Sequence, residues 1–229
     1  MCPGCLNRAQ CLRTQLLQLA VPLVKSYGFT REALAQSALR LPTPHEKPLT
    51  EAAITALFGE GDDARRTLIG GWLEHARVET RKSLLADATP GAPPPSMRAV
   101  LEKRLRVNEE VLPLLPEAFA LLASPTYGLP PLDPIPGLKH VSQVADDACY
   151  LVRDTSVGPA WFRRRATVAV AYGAAELHQL TSPNTAYKFL DDALSMTQKV
   201  DSAADDIGQY GRYIMKSWTG IIRSSGVLP

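Results

Sequence analysis

Long apolar runs are missing from this sequence. No stretch approaches the ~18 uncharged apolar residues that a membrane-spanning helix requires. The longest candidate, the run 166–175, is too short and too rich in small residues to cross a bilayer. The sequence therefore predicts a chain that does not span a membrane and is either soluble or peripheral.

Motifs of enzyme chemistry are also missing. The chain contains no HExxH, no GxSxG and no glycine-rich phosphate loop. None of its four histidines belongs to an ExxH pair, so the pattern of di-iron helix bundles is absent. We therefore expect a non-enzymatic protein without a cofactor.

Cysteine is scarce, and its arrangement does not complete a metal site. Cys2 and Cys5 have CxxC spacing, but no second CxxC and no histidine pair follows to supply four zinc ligands. No strand precedes the motif, as a redox site would require. We expect a frayed terminus here and no metal. Residues 1–31 carry four basic side chains and no acid, a bias typical of mitochondrial transit sequences, although they also predict a helix.

Apolar residues recur at helical spacing almost everywhere, and strand signals are scarce. Gly28 fits the end of a first helix, and Thr30 and Thr50 are suited to cap the next two. A proline-rich segment, 124–137, is expected to be irregular because five prolines fall within it. The predicted helices cover 12–27, 31–41, 51–58, 63–87, 96–122, 139–154, 159–180, 183–200 and 206–224. The fold class is all-α.

The first three helices are similar to a helix-turn-helix, so DNA binding has to be weighed. The third helix, "EAAITALFGE", contains no Lys, Arg, Asn or Gln and carries Glu51 and Glu60. Base reading needs hydrogen-bond donors and phosphate binding needs cations. The net charge of +2 adds no global attraction for nucleic acid. We expect no nucleic-acid partner, and a ligand-responsive DNA-binding regulator remains the alternative function.

The last predicted helix is amphipathic. Three basic residues, Arg212, Lys216 and Arg223, flank an apolar stripe. Such a helix suits the lipid headgroup plane, although a C-terminal helix docked on the core would show the same spacing. The residues expected to contact membrane are Ile207, Tyr210, Ile214, Trp218 and Ile221.

The segment "GPAWFRRRATVAVAYGAAELHQL" begins with an aromatic and basic head. An uncharged helix body, 166–175, follows this head. A helix that is apolar all round is enclosed by protein, a partner or a ligand. Trp161 and Phe162 stand beside three arginines, and exposed aromatics with arginine are typical of protein-binding hot spots. We expect at least one of the two rings to be exposed. Glu176 interrupts the apolar body, and a partnered polar group at a helix interface is the favoured interpretation.

Four segments carry a specific resemblance to a known family. They are "RLRVNEEVLPLLPEAFALLASP", "VADDACYLVRDTS", "WFRRRATVAVAYGAAELHQLTSPN" and "AYKFLDDAL". These residues resemble the mitochondrial ubiquinone-biosynthesis lipid-binding proteins, the ninth members of the coenzyme Q series. The similarity covers most of the chain and is strongest from about 104 to 194.

The resemblance implies a TetR-like helical bundle that forms a homodimer and is not an enzyme. It further implies binding of ubiquinone precursors and phospholipids on the matrix side of the mitochondrial inner membrane, as a peripheral protein. The implied partner is the di-iron demethoxyubiquinone hydroxylase, to which the precursor is presented. The positions that match the family's docking surface are Asp146, Asp147, Trp161, Phe162 and Arg165.

Four regions are expected. Residues 1–7 form an N-terminal tail, 8–62 the helix-turn-helix-like part, 63–200 the lipid-binding helical domain and 201–229 the amphipathic membrane-associating tail. Within the lipid-binding helical domain, 63–200, helical periodicity predicts four residues that line a lipid cavity. These residues are Leu112, Phe119, Val168 and Tyr172.

Overall fold

A computed structural model describes residues 8–87, 91, 93–125 and 132–199. Every regular element in these ranges is a helix, which confirms the all-α class and is consistent with a TetR-like bundle. The predicted tails 1–7 and 201–229 lie outside the described residues. The same holds for the predicted membrane-contacting residues Ile207, Tyr210, Ile214, Trp218 and Ile221.

The chain divides into two compact units, 1–75 and 76–229, and the boundary falls within a long helix. The first unit contains α1 (Arg8–Ala20), α2 (Val24–Tyr27), α3 (Arg31–Ser37), α4 (Glu51–Phe58) and the first half of α5 (Asp62–Ala86). Short 3₁₀ turns, Val21–Leu23 and Ala38–Arg40, follow α1 and α3.

Local sequence signals explain where the helices of the first unit begin and end. The hydroxyl of Thr30 accepts a hydrogen bond from the Ala33 N–H, and Thr50 accepts one from the Ala53 N–H. Both residues are therefore the helix N-caps that the sequence predicts. Gly28 ends α2 with a φ of 69°, a conformation that favours glycine.

The described residues of the second unit form the rest of α5 and five further helices. They are α6 (Met97–Asn108), α7 (Leu115–Ala123), α8 (Ile135–Leu151), α9 (Pro159–Thr181) and α10 (Ala186–Lys199). Within the described ranges, no helix is long and apolar enough to cross a bilayer.

Proline accounts for two departures from the predicted helices. The single helix expected over 96–122 is wrong, because a 3₁₀ segment, Glu109–Leu114, separates α6 from α7 and contains Pro113. Proline in a helix interior removes a hydrogen bond and clashes with the preceding turn. The irregular segment expected over 124–137 ends earlier, since α8 already begins at Ile135 with Pro136 in its first turn, where proline is tolerated.

Helix α9 lies at the centre of the second unit and packs against α8, α10 and α6. Its alanine-rich body is buried, as expected for an enclosed helix. Gly173 allows a close approach to α8, because a Cβ added there would lie 3.1 Å from Val141 Cγ1. The absence of a side chain at Gly173 therefore permits the close spacing of α8 and α9 at this point.

Candidate functional site

An apolar pocket of about 350 Å³ lies between α7, α8 and α9. An engineered apolar cavity of ~150 Å³ is sufficient to bind benzene, so this pocket has room for a substituted ring and a short chain. The side chains and backbone that line it are those of Phe119, Pro134, Gly137, Leu138, His140, Val141, Ser142, Ala166, Ala169, Val170, Gly173, Glu176 and Leu177.

The exposure of the lining residues distinguishes an open side from an inner side. Leu138 and Ser142 lie four residues apart on α8 and are exposed, as is Ala166 on α9. Leu138 retains 58% of its accessible surface. The inner side is formed by buried residues, among them His140 and Glu176. The pocket is thus apolar along its walls and polar at its inner end.

Glu176 is the centre of the polar inner end. Its Oε1 accepts hydrogen bonds from the Tyr172 hydroxyl at 2.6 Å and from Asn108 Nδ2 at 3.0 Å. Its Oε2 lies 2.9 Å from His140 Nε2, and Arg104 Nη2 lies 3.9 Å from Oε1. The interpretation of Glu176 as a partnered polar group at a helix interface is therefore confirmed.

These partners decide the ionisation of the buried carboxyl group. Burial by itself raises the pKa of Glu176, but the His140 interaction, the Arg104 charge and the Tyr172 hydrogen bond outweigh it and lower the pKa to about 2. Burial, together with the neighbouring carboxylate, raises the pKa of Tyr172 well above its ordinary value. The inner end therefore holds an ionised glutamate and a protonated tyrosine at neutral pH.

The four residues predicted to contact a lipid tail occupy different surroundings. Phe119 lines the pocket. Val168 and Tyr172 are buried in the core that α6, α8, α9 and α10 share, and Leu112 is half-buried in the 3₁₀ segment before α7. Contact of these residues with a lipid stays a prediction. His140 and Leu138 line the pocket but could not be predicted from the sequence, because periodicity on one helix does not reveal which neighbouring helix faces it.

A second feature lies beside the pocket, and we refer to Asp146, Trp161, Phe162 and Arg165 as the Trp161 surface. The two rings meet edge to face, with their centres 4.7 Å apart. Phe162 is 70% exposed and Trp161 37%, so the expectation of an exposed aromatic is confirmed. Arg165 Nε donates to Asp146 Oδ1 at 2.7 Å, which links α9 to α8.

Asp147 is not part of the Trp161 surface in this structure. Its carboxylate accepts a hydrogen bond from Arg77 Nε at 2.7 Å and another from Arg81. Its side chain is 15% exposed, against 62% for Asp146. Adjacent helical residues point about 100° apart, which explains the separation. A contact of Asp147 with a partner protein stays a prediction.

The pocket and the Trp161 surface adjoin each other on the same two helices. Ala166 lines the open side of the pocket and follows Arg165 directly. On α8, Ser142 lines the pocket and Asp146 lies one helical turn further along, on the same face. A ligand at the open side would therefore be next to the Trp161 surface.

No group of three or more His, Cys, Asp or Glu side chains is placed to hold a metal ion in the part of the chain that the structure describes. The described cysteines, Cys11 and Cys149, are free thiols. Burial raises the pKa of the Cys149 thiol, which keeps it protonated and unreactive.

Fold and site together define an all-α protein with an apolar pocket bordered by an exposed aromatic surface. Residues 135–201, which include α8, α9 and α10, match the COQ9 family model. The family resemblance inferred from the sequence is confirmed, and the chain is related to the COQ9 proteins along most of its length.

Three relatives illustrate the extent of the similarity. The Schizosaccharomyces pombe mitochondrial ubiquinone biosynthesis protein coq9 is 26% identical over 218 residues, which cover 93% of this chain and 80% of the relative. The bovine mitochondrial ubiquinone biosynthesis protein COQ9 is 25% identical over 220 residues, which cover 91% of this chain and 64% of the relative. The human protein of the same name is 24% identical over 217 residues, which cover 91% of this chain and 64% of the relative. The chain thus spans less than two thirds of the bovine and human proteins.

Proposed function

We propose that this protein is a non-enzymatic lipid-binding protein of ubiquinone biosynthesis. It binds isoprenoid quinone precursors at a membrane and presents them to the di-iron demethoxyubiquinone hydroxylase. The observation that carries the proposal is the apolar pocket between α8 and α9, whose open side adjoins the Trp161 surface. The names of the relatives, all mitochondrial ubiquinone biosynthesis proteins, support the pathway.

The physical problem that such a protein solves is the transfer of an insoluble molecule. Each CH₂ group of a polyprenyl chain favours the bilayer over water by about 0.8 kcal/mol, so free diffusion of the precursor to an enzyme is negligible. A pocket lined by apolar side chains lowers the free energy of the extracted molecule. At about 350 Å³ the pocket shelters one end of a precursor, and the rest of its tail stays with the membrane.

Because most of the precursor's tail stays with the membrane, we place the protein at the membrane surface. It is a peripheral protein on the matrix side of the mitochondrial inner membrane, held there by phospholipid contacts of the amphipathic segment 206–224. It acts as a homodimer. The mitochondrial names of the relatives support the organelle.

The proposed hydroxylase contact is the Trp161 surface. An exposed aromatic pair next to an arginine is the composition of a protein-binding hot spot. A hydroxylase bound there would be next to the open side of the pocket. The precursor would then pass between the two proteins without crossing water.

A substitution at the open side tests the pocket. Ala166→Trp places a large ring where Ala166 lines the pocket and is exposed, so the core remains intact. We expect the affinity for a ubiquinone analogue with two isoprene units, measured by isothermal titration calorimetry, to fall at least tenfold. Lys139→Trp is the matched control, because Lys139 is exposed on α8 and does not line the pocket.

Three outcomes are informative. Loss of binding in Ala166→Trp with normal binding in Lys139→Trp supports the pocket as the lipid site. Equal binding by both variants and the wild type rejects the pocket. A wild-type protein that binds no quinone, even in the presence of membrane vesicles, overturns the carrier proposal.

A further inference from the structure

A strained backbone conformation occurs where α8 ends. Arg153 has a φ of 56° and is the one non-glycine residue with a positive φ in the described ranges. Its N–H donates to the Tyr150 carbonyl, and the next N–H, that of Asp154, donates to the Cys149 carbonyl at 2.9 Å. This pair of hydrogen bonds puts Arg153 at the position after a helix where glycine is usual, because a Cβ there approaches the following carbonyl. The chain thus carries an arginine where glycine would be less strained.

Packing within the protein does not explain this arginine. Its side chain is exposed and forms no hydrogen bond or ion pair with another described residue. Residues held in such disfavoured conformations concentrate at functional sites, where a role in binding outweighs the strain. The surroundings of Arg153 therefore decide what it binds.

The surroundings are apolar and exposed. The three most exposed large apolar side chains of the described residues all fall within residues 150–162, the segment that contains Arg153. They are Tyr150, Val157 and Phe162, which are 74%, 80% and 70% exposed. On α8, Tyr150 lies one turn after Asp146, and on α9, Phe162 lies about one turn before Arg165. Because Arg165 donates to Asp146 at 2.7 Å, this apolar area continues the Trp161 surface.

The charges of the same area are mainly positive. Besides Arg153, the start of α9 supplies three consecutive cations, which are Arg163, Arg164 and Arg165. The acids are Asp146 and Asp154, and both accept hydrogen bonds from Arg165. Asp147 adds no negative charge here, since its carboxylate is paired with Arg77 and Arg81. Four arginines thus outnumber two carboxylates, and the area attracts anionic groups.

We infer that Arg153 binds an acidic side chain of a protein partner that docks on the Trp161 surface. This inference rests on the proposed function and specifies the chemistry of the partner, which presents carboxylates beside an apolar patch. A protein fits this area better than an anionic membrane does, because Asp146 is 62% exposed in it and repels phosphate headgroups. Tyrosine, tryptophan and arginine are also enriched in the core of protein interfaces.

The test replaces Arg153 with glycine, which removes the charge and relieves the strain. We expect the association rate with the purified hydroxylase, measured by biolayer interferometry at low salt, to fall about 3- to 10-fold, since a charge at the edge of an interface acts mainly on association. At about 500 mM NaCl the rates of wild type and variant should converge, because salt screens the charge. The midpoint of urea denaturation should stay level or rise, by up to roughly 0.5 M.

Two further variants assign the effect to the charge of Arg153. Arg153→Lys keeps the cation and the left-handed φ, so it should retain most of the wild-type association rate. Lys188→Ala is the control, because Lys188 is exposed and precedes Phe189, which stacks on His178 near the other end of α9. We expect the control to associate at the wild-type rate.

The outcomes separate this inference from the proposed function. A wild-type association rate in Arg153→Gly, with binding lost in Trp161→Lys, overturns the inference and leaves the docking proposal standing. A lower urea midpoint in Arg153→Gly, with binding weakened equally at low and high salt, makes Arg153 a structural residue and also overturns it. So does normal hydroxylase binding combined with weaker binding to vesicles of phosphatidylcholine and cardiolipin, which would assign Arg153 to a membrane. A wild-type protein that does not bind the hydroxylase overturns both proposals.

Discussion

The guanidinium carbon of Arg165 lies 3.8 Å from the centre of the Trp161 ring. The same guanidinium donates to Asp146 at 2.7 Å and to Asp154 at 3.4 Å. A cation at this distance over an indole face is attractive, and the two carboxylates hold it there. Trp161 is therefore held in position by these contacts, and a protein contact made through it, as proposed, would cost less conformational entropy.

Trp161→Lys should abolish binding to the purified hydroxylase and leave binding to liposomes intact. The substitution removes the ring and places a second cation beside Arg165. A loss of at least ~30-fold is expected in biolayer interferometry, which is the loss that removal of a central aromatic hot spot typically causes. Leu85→Lys, at a position 59% exposed on α5, is the control. Survival of hydroxylase binding in Trp161→Lys would show that the docking assignment is wrong.

The two adjacent aspartates should differ in their contribution to stability. Asp147→Asn leaves Arg77, whose side chain is 13% exposed, without its carboxylate, and we expect a loss of about 1–3 kcal/mol in the free energy of unfolding. Asp146→Asn breaks an ion pair whose carboxylate is 62% exposed and should cost less than about 1 kcal/mol. Urea denaturation measures both. Equal losses would contradict the distinct partners of the two carboxylates.

Glu176 should make the fold sensitive to acid. Its pKa in the folded protein, about 2, is lower than its ordinary value of 4.5, so the ionised form stabilises the fold. This contribution is complete above pH ~4.5 and is lost as the pH falls toward 2. The free energy of unfolding of Glu176→Gln should fall less over that interval, by about 3 kcal/mol, than that of the wild type. Glu46→Gln, at an exposed position, is the control for the loss of one carboxyl group.

Gly173→Val should push α8 and α9 apart. An added Cβ would already lie 3.1 Å from Val141 Cγ1, and the two further methyl groups overfill the interface. We expect the free energy of unfolding to fall by about 1–3 kcal/mol and quinone binding to weaken. Val141→Ala in the same chain should recover part of both losses. A double variant no more stable than Gly173→Val would place the strain elsewhere.

Local rules predicted much of the fold because they depend only on neighbouring residues. Thr30 and Thr50 cap helices through hydrogen bonds to residues three positions away, so the short sequence context was sufficient. The effects of Pro113 and Pro136 on the helices could not be predicted from neighbouring residues alone. A proline ends a helix in one context and begins it in another, and the surrounding packing decides which applies.

The sequence by itself determined the all-α class, most helix positions and the exposed aromatic head of α9, because periodicity, capping and composition act within one segment. Only the tertiary structure decided the partners across helices. It brings His140 and Glu176 together across 36 residues and separates Asp146 from Asp147 although they are neighbours in the chain. The physical reason is that side-chain direction on a helix follows from the sequence, whereas the surface that it meets depends on how closely a distant helix approaches.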